Sequence, residues 1–277
     1  MSTTQTLILG AIAGFTIYLG LPLGRVGGTS VALRAALTAF ATGILLFLFW
    51  DVLSHGVEPV ESAVSDHRWG RVAELAPLLA GGFVLGMMSL VYYDRWMTNK
   101  RATPLVGPGA AAVDEFERRG WIESLTPGRR LALLIAVGIG LHNFGEGLAI
   151  GQAAAANEVS LALVLIIGFA LHNATEGFGI VGPTAGEVER PSWGFLGLMG
   201  LIGGGPTFVG TVIGQAWVST ALEVVFFAVA AGSILYVVAQ LLEVCRRYNR
   251  PVVVAWMLLV GLGLGLATDF VLVAAGA

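Results

Sequence analysis

Eight runs of predominantly apolar residues, each long enough to cross a bilayer, limit what this chain can fold into. Inside lipid a backbone must satisfy its own hydrogen bonds, so a run of about 20 apolar residues becomes a helix. The runs lie near 5–24, 32–53, 75–97, 130–155, 160–182, 193–216, 220–243 and 252–275. The expected fold class is all-α, a polytopic membrane protein with eight transmembrane helices in a single transmembrane domain over 1–277. With 56% hydrophobic and 12% charged residues and a mean hydropathy of +0.82, an ordinary soluble domain is excluded. The 39 glycines suit helices that pack closely where lipid provides no hydrophobic force between them.

The first run follows no basic segment, so it reads as a retained helix and not a signal peptide. Cys245 is the only cysteine, which excludes a disulfide within the chain and a cysteine zinc site. The basic residues orient the bundle. With an outside N-terminus, thirteen of the fifteen Lys and Arg fall in inner loops or at inner helix ends, and only Arg68 and Arg71 lie outside. Both termini are then extracytoplasmic, and the expected location is the cell (inner) membrane. The longest connector, about 98–129, is cytoplasmic in this arrangement. It opens with a Pro-, Gly- and Ala-rich stretch and holds no histidine, which reads as a solvated linker.

Two segments thirty residues apart carry the chemistry: Leu141-His142-Asn143-Phe144-Gly145-Glu146-Gly147 and Leu171-His172-Asn173-Ala174-Thr175-Glu176-Gly177. In each, His and Glu are four apart and share one helix face, with Asn about 100° further round. His142 lies 12 residues after Arg130 and 13 before Ala155, near the middle of its span. At about 1.5 Å per residue it is some 18 Å from the helix start. The fourth and fifth spans run in opposite directions, so each Glu falls opposite the other helix's His, as in inverted-repeat transporters with a midplane site. Ionisable groups are costly in a membrane, and no Lys or Arg occurs between Leu131 and Val181 to pair with the carboxylates. A divalent cation held by His142, Glu146, His172 and Glu176, with Asn143 and Asn173 as weaker ligands, removes that cost. Imidazole and carboxylate ligands suit Zn, Fe, Mn, Co or Cd, and the absence of thiolates argues against Cu(I).

The paired H-N-x-x-E-G motifs resemble those of the ZIP (Zrt/Irt-like) metal transporters, whose fourth and fifth helices carry H-N-x-P-E-G-type sequences. Leu85 to Arg95, ending in Asp94-Arg95, and Ala230 to Val238 are also similar to that family. The resemblance covers nearly the whole chain. It implies eight spans, an inverted-repeat bundle with a metal site between helices 4 and 5, and transport of divalent metal toward the cytoplasm, with zinc first. It also implies a binuclear centre in which the His and Glu positions form one site and the Asn positions, sharing Glu, form the second.

Three positions depart from the family pattern. Gly145 and Thr175 stand in place of its Pro, and Gly205, before Pro206, stands where the sixth helix usually offers a Glu. The expectation is therefore one firm site rather than two. Asp51 and His55 at the outer end of span two, and Gln240 and Glu243 at the inner end of span seven, are candidate pathway residues. Zinc, or another divalent metal, is expected as transported substrate, with no organic cofactor and no nucleic-acid partner. The lipid bilayer surrounds the chain, and a homodimer is left open. The competing classes are a non-transporting membrane metal sensor or scaffold and an intramembrane metalloenzyme. The second lacks its signatures: no H-E-x-x-H helix and no Glu-x-x-His pair occurs. The chain is accordingly not expected to be an enzyme.

Overall fold

The computed structural model describes residues 2–25, 30–102, 121, 125–156, 159–184, 187, 189–216 and 219–275. Among them are eight α-helices: α1 (Thr3–Phe15), α2 (Val31–Ser65), α3 (Trp69–Ala102), α4 (Pro127–Ala155), α5 (Val159–Val181), α6 (Trp193–Gly214), α7 (Thr220–Arg247) and α8 (Pro251–Ala275). Seven segments are long and apolar enough to cross a membrane, and α5 carries the eighth apolar run over 23 residues. The protein is an all-α polytopic membrane protein. Most of the connector over 98–129 lies outside the described residues, as do Asn157 and Glu158 between α4 and α5.

Local sequence explains where the helices start. Ser2, Ser30, Thr126, Ser192 and Ser219 each accept a hydrogen bond from a backbone N–H in the first turn of α1, α2, α4, α6 and α7. These are donors that a helix cannot satisfy by itself. Pro127 and Pro251 open α4 and α8, where a missing N–H costs nothing.

Two elements differ from the apolar pattern. The first run does not remain α-helical to residue 24; after Phe15 it tightens into 3-10 turns at Thr16–Leu19 and Leu21–Arg25. There the backbone presses onto α5: a Cβ on Gly20 would stand 2.4 Å from the Phe178 nitrogen, and one on Gly177 2.0 Å from the Ile17 oxygen. The second run ends near 53, yet α2 continues to Ser65 through Pro59. Beyond 53 it still packs inward, since Gly56 is buried and faces Leu79 of α3 and Phe227 of α7.

Helix packing divides the bundle into two groups. Helices α1, α4, α5 and α6 pack on one another, α2 packs on α3, α7 and α8 with α3 also against α7, and α4–α7, α2–α5 and α5–α8 contacts join the groups. Exchanging α1 with α6, α2 with α7, α3 with α8 and α4 with α5 carries α4–α6 into α5–α1, α3–α7 into α8–α2 and α4–α7 into α5–α2. Reciprocal glycines repeat the relation. Gly43 of α2 and Gly261 of α8 each meet a backbone oxygen of the other helix, as do Gly232 of α7 and Gly86 of α3. Because α1 and α6 are five spans apart, the related halves run in opposite directions. This is an inverted repeat, with α4 and α5 crossing at its centre.

Candidate metal centre

The middle of α4 meets α5 in a polar cluster sealed from solvent. His142 is 3% exposed and Glu146 4%, while Asn143, Asn173 and Glu176 are fully buried. The i,i+4 spacing sets His142 Nε2 3.1 Å from Glu146 Oε1 on the same helix. Across the helix pair the same nitrogen is 4.0 Å from Glu176 Oε1, and Asn143 Nδ2 donates to Glu176 Oε2 at 3.1 Å. One imidazole, two carboxylates and one amide therefore lie within about 4 Å of a neighbour in the set. His172 lies in α5, but its side chain is outside the described residues. Among the described residues no group of three or more of His, Cys, Asp or Glu is placed to hold a metal ion; His142 and the glutamates here contact one another.

The two asparagines anchor the crossing symmetrically. Asn143 Nδ2 also donates to the Gly203 carbonyl of α6 at 3.0 Å, and Asn173 Nδ2 to the Ala13 carbonyl of α1 at 3.0 Å. Under the inverted repeat these are equivalent contacts, α4 to α6 and α5 to α1. Each amide leaves its Oδ1 buried without a hydrogen-bond partner among the described residues. Such an acceptor costs about 1–3 kcal/mol when left unmet, and a cation is one group that meets it. The N–H side of each amide thus ties its helix to a neighbour.

The sixth helix presents a different face to the centre than its sequence suggests. Gly205 is half-buried, and a Cβ there would meet only Leu201 Cδ1, at 3.5 Å. Gly203 and Thr207 point inward instead, and both are buried. A Cβ at 205 therefore lies on a different side of α6 from Gly203, Gly204 and Thr207, whose burial fixes the rotation of the helix. Thr207 was not singled out from sequence. Its buried Oγ1 has no hydrogen-bond partner among the described residues, and its place one turn after Gly203 was the only signal. Helix α6 runs unbroken through Pro206.

The candidate pathway residues are not part of the cluster. Asp51 and His55 sit on α2, with side chains 20% and 55% exposed and His55 Nδ1 3.6 Å from Asp51 Oδ1. The His55 ring centroid is 5.7 Å from that of Phe227, whose ring covers Gly145. Gln240 and Glu243 line a separate cavity of about 330 Å³ at the Arg130 end of α4, together with Asp94 and Tyr236. There Arg130 bonds Asp94 at 3.1 Å and Arg247 reaches Glu243 at 3.3 Å. At the other end of α4, Gln152 donates to Glu223 of α7.

No protein-family model matches the chain. It is 29% identical over 250 residues to the zinc transporter ZupT of Enterobacter sp. (strain 638), covering 88% of this chain and 87% of that protein. To the zinc transporter ZupT of Shigella dysenteriae serotype 1 (strain Sd197) it is 28% identical over 250 residues, with the same coverage. Similarity to transporters therefore extends along most of the chain, well beyond the two short motifs.

Proposed function

We propose that this ZIP-like membrane protein carries divalent transition-metal ions, zinc foremost, through a centre formed where α4 crosses α5. The observation that carries this reading is the buried set of His142, Glu146 and Glu176, with the free oxygens of Asn143 and Asn173 beside it. His172, equivalent to His142 by motif, is assigned as the second imidazole. Imidazole and carboxylate oxygens suit Zn²⁺, and the zinc transporters that the chain resembles support that choice. The ion is cargo, and no reaction on an organic substrate is assigned.

An ion would enter this centre by exchanging water for protein ligands. His142 Nε2, 3.1 Å from Glu146 Oε1, would turn to the ion as a ligand. Glu146 and Glu176 would supply carboxylate oxygens from the two helices, with the asparagine oxygens completing the shell. The two carboxylates match the dication's charge, so little of its electrostatic cost remains. Arg130 and Arg247 with Arg246 and Arg250 gather at one end of the bundle, which supports reading that end as the cytoplasmic side of a cell membrane. Both termini are then extracytoplasmic, and transport runs past Asp51 and His55, across the centre, toward the Gln240–Glu243 cavity.

Zinc uptake into vesicles reconstituted with the purified chain tests the reading. Uptake above protein-free vesicles, lost in His142→Ala and in Glu176→Ala while both variants still insert, is the expected result. Zinc binding without flux supports a sensor or scaffold instead, and normal flux in both variants overturns the site.

A further inference from the structure

We infer a binding site for an anionic phospholipid in the crevice between the end of α7 and the start of α8. The chain reverses there in a tight turn: the Tyr248 N–H donates to the Cys245 carbonyl at 3.3 Å and the Asn249 N–H to the Arg246 carbonyl at 3.2 Å. Asn249 takes the left-handed conformation, φ 52°, which Asn tolerates better than most residues at a helix C-terminus. Pro251 then starts α8 at once. This turn brings Arg246 and Arg250 to the rim of one crevice of about 590 Å³.

The crevice is amphipathic in the manner of a lipid. Its walls are Leu242, Val254 and Leu258, with Arg246, Asn249 and Arg250 among the residues that line it. Both arginines are exposed, and neither is ion-paired among the described residues, whereas neighbouring Arg247 is held by Glu243 at 3.3 Å. The adjoining face of α8 bears Val252, Trp256 and Leu259, each at least 60% exposed, as a lipid-facing surface does. Apolar walls of this size are poorly filled by water, which needs several polar partners per molecule, but they accept an acyl chain. Two guanidinium groups at the turn between two membrane-length helices match a phosphodiester by charge and by their forked donor geometry. A net negative headgroup is favoured over a zwitterionic one, because each arginine near a membrane surface attracts anionic lipid. The site lies on different helices from the metal centre and does not depend on transport.

Native mass spectrometry of the full chain, offered phosphatidylglycerol or phosphatidylcholine, tests this. The intact protein should retain phosphatidylglycerol through delipidation. Combined Arg246→Gln and Arg250→Gln should weaken that binding about 25-fold, roughly fivefold per guanidinium lost, while Arg247→Gln leaves it unchanged. Equal retention of both lipids, equal retention by the double variant, or displacement by millimolar inorganic phosphate alone overturns the assignment. A photoactivatable phosphatidylglycerol gives a readout on the unaltered protein, should the double variant fail to fold. Adducts between Leu242 and Leu258 support the site, and adducts only elsewhere refute it.

Discussion

Phe227 lies so close over Gly145 that a Cβ at residue 145 would stand 2.7 Å from the ring's Cε1. The ring's neighbours include His55, at 5.7 Å between centroids. One aromatic side chain of α7 thus separates the Asp51–His55 pair of α2 from the turn of α4 that carries Glu146. It also accounts for glycine at this position, where ZIP motifs have Pro. Gly145→Ala overpacks the contact at about 1–3 kcal/mol, offset in part by the ~1 kcal/mol that alanine gains over glycine in a helix. In a Phe227→Leu background the same change should be neutral or stabilising. A thermal-denaturation double-mutant cycle should give a coupling of about 1–2 kcal/mol; the same effect of Gly145→Ala in both backgrounds contradicts the contact.

Asn143 holds α4 to Glu176 and to the Gly203 carbonyl through one amide nitrogen. Asn143→Asp removes that donor and sets a third carboxylate beside Glu146 and Glu176. Metal-free stability should fall by about 1–3 kcal/mol. Zinc should then raise the melting temperature more in the variant than in the native chain, because the added charge strengthens coordination. An equal zinc-induced shift in both proteins removes Asn143 from the metal's surroundings.

Gly205 gives a contrasting expectation. A side chain there meets only Leu201, so Gly205→Gln should leave zinc uptake and zinc affinity unchanged, provided the variant inserts. A clear gain or loss in zinc affinity places residue 205 at the centre and rejects the rotation of α6 described above.

Orientation is testable with single cysteines, since Cys245 is the only native one and is buried. Cysteine placed at Ser2 should react with an impermeant reagent from outside the cell, and cysteine at Ala111 only after the membrane is opened. The reverse pattern inverts the bundle and with it the direction of transport.

Much of this arrangement is legible in the sequence, for identifiable reasons. Helical spans follow from apolar length alone, and His142 with Glu146 follows from four-residue spacing. The extension of α2 to Ser65 is not legible, because polar Glu58 and Glu61 mask a helix whose Gly56 is buried by α3 and α7. The 3-10 turns after Phe15 depend on backbone contact between Gly20 and α5, which no local pattern announces. The amide anchors of Asn143 and Asn173 end on carbonyls of other helices, so only the assembled bundle reveals them. The rotation of α6 is hidden for the same reason: packing of Gly203 and Thr207 sets it, and Gly205 before Pro206 falls on a different side of the helix.

Anomalous diffraction at the zinc edge from crystals of the zinc-loaded chain tests the central claim most directly. The account predicts a peak between α4 and α5, with His142 nitrogen and Glu146 and Glu176 oxygens as ligands at about 2.0–2.2 Å. Zinc held elsewhere, with His142 still bonded to Glu146 and the crossing empty of metal, contradicts it.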